Sequence, residues 1–287
     1  MKQYILSLFL CLSIYPLKAQ TFYTIIDDDA TSVNAISEIK RIADKKNIKI
    51  TFAVIAATVS SNNELCDSLL SFQEQGFHIC NHSLTHRGNI WNNQDFSAIE
   101  KEMTRSSRLL DSLGFLSHNY LVYPFGKFSQ KKMEHLLPIV QKDFRLAFNS
   151  RGGTCNFLDF NRHYINRFPL RKHENISVVK YKIDKAIEQG EWIVFFTHSN
   201  MSRDFSPEYL EKVISYCQYK NLPCLTVDEA YCQLTPYKGD AKIKEWSMWN
   251  EILLQIEMHI WYLLTAFIIL LSGILFIYFK KKRCYTQ

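Results

Sequence analysis

Short apolar runs alternate with amphipathic helical patterns along most of this 287-residue chain, and this alternation limits the fold more than any other feature. The runs at 22–26, 48–56 and 192–197 are rich in Ile, Val and Phe. Strand–helix alternation of this kind predicts an α/β fold with parallel strand pairing. The nearly continuous apolar character of the strands predicts a sheet that is covered on both faces. An open doubly wound sheet and a closed barrel both satisfy the pattern, and 222–227 is predicted as the last strand.

Residues that can carry chemistry stand where the predicted strands end. Three acids at 27–29 close the first run, His82 and His86 follow a short strand at 77–80, and His198 closes the run at 192–197. Pro124 and Phe125 end another strand, at 120–123. In parallel α/β folds the carboxyl ends of the strands lie at one edge, where functional sites collect. We therefore expect these side chains to face a common cleft.

A carboxylate and two imidazoles form a ligand set that holds a catalytic zinc ion and leaves one coordination position open. Adjacent acids at the end of an apolar strand repel one another unless a cation or a proton offsets their charge. The alternative for 27–29 is a solvated turn that caps a helix. His82 and His86 are four residues apart, a spacing that places their rings on one side of a helical turn but that also occurs in purely structural settings.

Both ends of the chain resemble segments that direct a protein to a membrane. Residues 1–19 have a basic start, an apolar stretch and a small residue at the end, which predicts a cleaved signal peptide, with an uncleaved anchor as the alternative. Residues 260–279 carry no charge and are long enough to cross a bilayer. The basic tail at 280–287 predicts a cytoplasmic C-terminus and an extracytoplasmic body. A buried core helix is the alternative for 260–279.

The charge of the chain does not indicate a nucleic-acid partner. The formal charge of +6 comes from 34 basic and 28 acidic residues, and six of the basic residues lie in the two terminal segments, so the remaining body is neutral. Six cysteines lie in the body without a C-x-x-C pair, and their connectivity does not follow from sequence. An amphipathic connector is predicted at 236–259, between the body at 20–235 and the membrane. Protein partners are not indicated.

Several motifs resemble those of the polysaccharide deacetylases of the NodB-homology type, carbohydrate esterase family 4. The T-F-D-D-G motif is similar to I-D-D-D-A here, and H-[ST]-x-x-H matches H-S-L-T-H. R-x-P-Y-G is similar to V-Y-P-F-G, and R-[IV]-P-V to R-F-P-L. The matching segments occur in the family's order and cover about 22–234; they are 26–30, 49–54, 82–86, 122–126, 167–170 and 190–198.

This resemblance implies a deformed (β/α) barrel, with the single C-terminal transmembrane helix added, and a divalent metal, usually zinc. Asp29, His82 and His86 would be the ligands. Asp28 would be the general base, and His198 the acid that protonates the departing amine.

The backbone N–H near Phe125, in the turn that Pro124 begins, would receive the oxyanion. A second register makes Asp27 the base and Asp28 the ligand. Val122 stands where the family has an arginine, so the base is expected to lack its usual partner.

The expected function is a membrane-anchored, metal-dependent hydrolase that removes N-acetyl or other N-acyl groups from amino sugars of a cell-surface or lipid-linked glycan. One alternative is a catalytically silent glycan-binding module on the same fold. Another is a deformylase or an O-acetyl esterase, because the same attack by water serves amides and esters.

Overall fold

The structure is a computed structural model that describes residues 21–93, 95–116, 119–154 and 157–243, together with 249, 252–253, 256, 259–260 and 267–273. The predicted signal peptide at 1–19 and the basic tail at 280–287 lie outside the described residues, as do nearly half of the connector and most of the predicted transmembrane segment. In the part of the chain that is described, no helix has both the length and the apolar character that a membrane span requires.

Seven parallel strands form one sheet with the order β5-β4-β3-β2-β1-β7-β6. Their bounds are β1 Tyr23–Asp27, β2 Thr51–Val54, β3 His78–Asn81, β4 Tyr120–Val122, β5 Leu146–Phe148, β6 Phe168–Pro169 and β7 Ile193–Thr197. Beyond the edge strand β5, Ile165 pairs with Phe148, three residues before β6 begins. The sheet is therefore a parallel half-barrel, as expected for a deformed (β/α) barrel.

Helices connect the strands and cover the outer face of the sheet, except the last helix, whose buried residues pack in the interior of the half-barrel. Their bounds are α1 Val33–Lys45, α2 Ala56–Ser60, α3 Asn63–Glu74, α4 Gly88–Trp91, α5 Phe96–Ser112, α6 Gln130–Asp143, α7 Ile176–Gln189, α8 Pro207–Tyr219 and α9 Val227–Leu234. Successive strand residues point to opposite faces. Ile25 packs in the core beneath the helices, whereas Ile26 packs with Trp192 and Val194 in the interior of the half-barrel. Both faces are apolar, which explains the continuous hydrophobic runs.

The predicted last strand at 222–227 was wrong. Only a single bridge joins Cys224 to Tyr23. Pro223 has no N–H to donate, although its carbonyl accepts the N–H of Tyr23 at 3.0 Å. Thr226 then begins α9 with a capping box in which Glu229 participates, so the backbone turns into a helix before a strand can develop.

Candidate metal centre

The carboxyl edge of the sheet brings together the predicted site residues. Asp27 is the last residue of β1, and β7, which ends at Thr197, is its neighbour. His82 follows β3, and its N–H donates to the carbonyl of Val54 at the end of β2, at 2.9 Å. The strand order thus places the loops after β1, β3 and β7 around one cleft, as the strand-end positions predicted.

Asp29, His82 and His86 each offer a ligand atom, and these three atoms lie within 4.8 Å of one another. Nε2 of His82 is 3.3 Å from Oδ1 of Asp29, and Nε2 of His86 is 3.6 Å from the same oxygen. This Oδ1 atom is buried and accepts no hydrogen bond from the described residues. A buried carboxylate oxygen without a partner is costly, and a cation between it and the two imidazoles would remove that cost. The three side chains therefore fit a metal ion.

The rings of the two histidines are held in the orientation that a ligand needs. Nδ1 of His82 lies 2.8 Å from the carbonyl oxygen of Val122, so Nδ1 donates there and Nε2, on the side of Asp29, is the nitrogen available to a metal ion. The ring of His86 packs between those of His82 and Phe125, with both centroid distances 4.7 Å. Its backbone N–H donates to Oγ of Ser83 at 3.0 Å, which closes the loop between the histidines.

Backbone strain concentrates around this cluster. Asp29, Ser83, His86 and Phe125 have φ values of 54°, 70°, 54° and 63°. Among the described non-glycine residues, Asn47 and Asn221 are the other two with positive φ, and asparagine tolerates that region. Aspartate and histidine also tolerate this region, whereas Ser83 and the bulky Phe125 adopt it at a cost that surrounding structure must offset, and such residues cluster at functional sites.

The protonation equilibria fit a ligand set. Burial lowers the pKa of His86 to about 4, with the charge of His82 acting in the same direction, so its ring is neutral near pH 7. Burial raises the pKa of Asp29, but the close approach and charge of His82 outweigh it and hold that pKa well below its usual range. The same carboxylate, with Asp28, raises the pKa of His82 against the effect of burial. A bound cation would take the place of the proton on His82.

Asp28 has an arginine partner, contrary to the expectation drawn from Val122. Arg167, which immediately precedes β6, donates from both terminal nitrogens to the two carboxylate oxygens of Asp28, at 2.7 and 2.9 Å. Its Nε donates to the carbonyl of Asn149 at 2.7 Å, and its guanidinium lies 4.5 Å from the ring centroid of Phe196. The expected loss of an arginine partner was wrong because the guanidinium comes from the segment just before β6 and not from β4, which contains Val122. The R-F-P-L resemblance marked the position without indicating its partner.

The Arg167 contact decides the charge of Asp28. Both side chains are almost completely buried, at 1% and 4% exposure. Burial by itself raises the pKa of Asp28, but the charge of Arg167, followed by that of His82, holds it below its usual value. The carboxylate is therefore ionised at neutral pH while it faces the cleft.

His198 and Phe125 complete the rim of the cleft. Nε2 of His198 lies 4.0 Å from an oxygen of Asp28 and 4.0 Å from Oδ2 of Asp29, and the side chain is one quarter exposed. Phe125 follows Pro124 in a tight turn, and its side chain is 45% exposed. Among the described residues, no acceptor takes the backbone N–H of Phe125.

Asp27, the base in the second register, bonds to Ser199 and is not part of the cluster that Asp29 forms with the two histidines. Its two carboxylate oxygens accept the backbone N–H and the hydroxyl of Ser199, at 2.9 and 2.6 Å. Burial raises the pKa of Asp27 to about 8, and the two bonds from Ser199 lower it only in part. The geometry therefore favours the register in which Asp28 and Asp29 face the cleft.

Glu102 of α5 was not identified from the sequence. Although it lies on a helix, its carboxylate is buried and accepts both the N–H and the hydroxyl of Thr85, at 2.9 and 2.8 Å. Thr85 is part of the loop between His82 and His86. A buried acid on the apolar side of a helix was the available signal, since the neighbouring turns present Ile99 and Met103 to the core.

Residues 15–137 match the family model described as polysaccharide deacetylase. The matched segment contains the three candidate ligands and the turn at 122–126, but it ends before Arg167 and His198. No curated protein matches the sequence.

Solved structures share the fold at low sequence identity. The Xyl-CE4 domain of a multidomain xylanase from the hindgut metagenome of Trinervitermes trinervoides aligns with a TM-score of 0.52 and 15% identity, over 80% of this chain and 97% of that one. A family 4 acetyl xylan esterase from Clostridium thermocellum, solved with a cobalt ion, gives 0.52 and 14%, over 76% and 94%. A CE4 family pseudoenzyme from Bacillus anthracis gives 0.51 and 14%, over 75% and 66%. The resemblance indicated by the sequence motifs is confirmed.

Proposed function

We propose that this chain, whose residues 15–137 match the polysaccharide deacetylase family, is a metal-dependent hydrolase that removes N-acyl groups, N-acetyl above all, from amino sugars. The observation that carries the proposal is the buried Oδ1 of Asp29, which accepts no hydrogen bond from any described residue, beside two imidazole nitrogens, with the ionised Asp28 on the same edge. Two imidazoles and one carboxylate suit a zinc ion. Zinc is therefore the proposed metal.

Asp29, His82 and His86 would hold the metal, which when bound supplies Lewis-acid polarisation of the acyl carbonyl and of a water molecule. Asp28 accepts the proton of the attacking water, because Arg167 keeps its carboxylate ionised and fixed in orientation. Arg167 cannot take that proton itself, since its guanidinium stays charged.

His198 delivers a proton to the leaving nitrogen, since amines leave poorly unless they are protonated. The N–H of Phe125, in the turn begun by Pro124, has no acceptor among the described residues and donates to the oxygen that becomes negatively charged. Deleting one such donor costs about 3 kcal/mol of transition-state stabilisation in other acyl-transfer sites.

The test is metal content together with turnover. The purified full-length chain should contain close to one equivalent of zinc or cobalt after reconstitution and release acetate from N-acetylated amino sugars. His82→Ala should lose both metal and activity. His163→Ala is a matched control, because His163 is also buried and bonded to a backbone carbonyl but lies outside the ligand set. Turnover that survives chelation and His82→Ala would refute the metal assignment.

Two alternatives make different predictions in the same assay. A catalytically silent glycan-binding module predicts sugar binding without turnover in the metal-saturated chain. This alternative is tested because the chain is similar in fold to a pseudoenzyme. A deformylase or O-acetyl esterase predicts release of formate, or of acetate from esters, in preference to acetate from amides. A panel of N-acetylated, N-formylated and O-acetylated sugars separates the three.

We also propose that 260–279 anchors the chain with its C-terminus in the cytoplasm and its body outside. The uncharged run and the basic tail that follows support this orientation. A site held near the outer surface favours a cell-surface or lipid-linked glycan over a freely diffusing sugar. In intact cells, an impermeant maleimide should label the exposed Cys232 of the body and spare Cys284 of the tail. Labelling of Cys284 from outside would overturn the orientation.

A further inference from the structure

Asp27 is a buried acid that the proposed chemistry does not use. It is fully buried at the end of β1, and both of its carboxylate oxygens accept hydrogen bonds from one residue, Ser199. Burial takes this carboxyl group out of water, and its two hydrogen bonds with Ser199 offset only part of that cost. An apolar side chain would suit the end of this buried strand better. Stability therefore does not explain why an acid occupies this position.

His198 lies between the end of β7 and the residue that bonds to Asp27. Thr197 pairs with Asp27 in the sheet, and its carbonyl accepts the N–H of Asp28 at 2.8 Å. Ser199, on the other side of His198, is held by the Asp27 carboxylate. The residues on both sides of His198 are thus hydrogen-bonded to the acidic segment at 27–29. Beyond this, the N–H of Met201 donates to the carbonyl of His198 at 3.0 Å.

The ring of His198 has weaker restraints than its backbone. Nε2 lies 4.0 Å from the nearest oxygens of Asp28 and Asp29, which is beyond hydrogen-bond distance. Its other ring contact is an edge-on packing against Phe196, with centroids 5.7 Å apart. The position of the ring in the cleft therefore depends on the backbone at 197–199.

We propose that Asp27 is a positioning residue that, through Ser199, holds the backbone of His198 so that its ring stays within reach of the departing amine. The inference rests on the proposed function, in which His198 protonates that amine. The two hydrogen bonds span 172 residues of sequence and join the loop after β1 to the loop after β7. Misplacing a catalytic group by about 1 Å can cost on the order of 100-fold in rate.

The kinetic test is a double-mutant cycle in the full-length, metal-loaded chain. Asp27→Ala should lower kcat by ~10- to 100-fold with little change in KM. Asp27→Asn keeps one acceptor for the Ser199 N–H and should recover most of that loss. In a His198→Ala background, Asp27→Ala should have no further effect, because the residue that it positions is already absent. Equal losses in both backgrounds would overturn the proposal.

Thr24→Val provides a matched control. Thr24 is also buried in β1, and its hydroxyl accepts the indole N–H of Trp192, immediately before β7, at 3.0 Å. The variant therefore removes a buried hydrogen bond between the same two strands at the opposite end. It should leave kcat unchanged. A loss of kcat as large as that of Asp27→Ala would mean that strand pairing in general, and not the positioning of His198, sets the rate.

Hydrogen exchange gives a readout that does not depend on turnover. In Asp27→Ala, amides at 198–201 should exchange faster, while those of the loop at 82–86 and the metal content stay as in the parent chain. Unchanged exchange at 198–201 would overturn the proposal. If the parent chain hydrolyses no acylated sugar, the proposed function fails and the catalytic role of Asp27 fails with it. The exchange data would still decide whether Asp27 holds this loop.

Discussion

Replacing Arg167 with methionine should change both the stability of the protein and the pH at which it works. The substitution keeps much of the side-chain volume but removes the guanidinium that pairs with Asp28 at 2.7 and 2.9 Å. Because both groups are buried, Asp28 would be left as an uncompensated charge, which costs about 3–5 kcal/mol in comparable buried pairs. Near pH 7 the free energy of unfolding should fall by roughly that amount.

The sign of the pH dependence follows from the pKa of Asp28. In the parent chain this pKa is below its usual value, so the stability that ionised Asp28 contributes is present above the unfolded pKa and is lost as pH falls through the folded one. In Arg167→Met, burial remains without the arginine and should raise the pKa above its usual value. Each unit of that rise costs about 1.4 kcal/mol at neutral pH, and the cost disappears as Asp28 is protonated in acid.

Urea unfolding at several pH values and the pH profile of kcat/KM measure the two effects. The stability difference between parent and variant should shrink as pH falls. The acid limb of kcat/KM should move to higher pH, because the base must be ionised to accept a proton. Arg162→Met is the control, since Arg162 bonds to the carbonyls of Tyr237 and Lys238 away from the cleft. An acid limb in the same place for Arg167→Met and the parent would refute this reasoning.

Three further perturbations test other parts of the structure. Glu102→Ala removes both hydrogen bonds to Thr85, in the loop that holds the proposed histidine ligands, and should weaken zinc affinity by ~10- to 100-fold, as measured by chelator competition, with Glu100→Ala, a half-buried acid of the same helix, as the control. Gly126→Ala should lower the melting temperature, because φ is +49° and the added Cβ would lie 2.6 Å from the backbone nitrogen of Ser150; an unchanged Tm would contradict the close approach. His78 has its pKa lowered to about 4 by burial, so the unfolded chain binds the proton first and stability should fall as pH drops from about 6.5 towards 4. In urea unfolding, His78→Phe should reduce this loss of stability at low pH. The same pH dependence in variant and parent would contradict the role of His78.

The clustering of the three candidate metal ligands could be predicted because these residues carry local signals. Asp29 directly follows an apolar strand, and His82 and His86 share one short loop, so strand-end placement was enough to bring them together. The partner of Asp28 could not be predicted in this way. Arg167 is 139 residues away in sequence, and its contact exists because β6 lies beside β7, which lies beside β1.

The sequence by itself determined the α/β class, the parallel pairing and the catalytic edge of the sheet, because hydrophobic periodicity and strand ends are local properties of the chain. It also identified the family that the motifs resemble. Tertiary structure alone decided which acid faces the histidines, that Arg167 pairs with Asp28, and that Ser199 holds Asp27. Those contacts depend on strand order, on the alternation of side chains at the end of β1, which separates Asp27 from Asp28, and on the left-handed backbone at Asp29. Adjacent acids are equivalent in sequence, and only their burial and partners give them different pKa values and different roles.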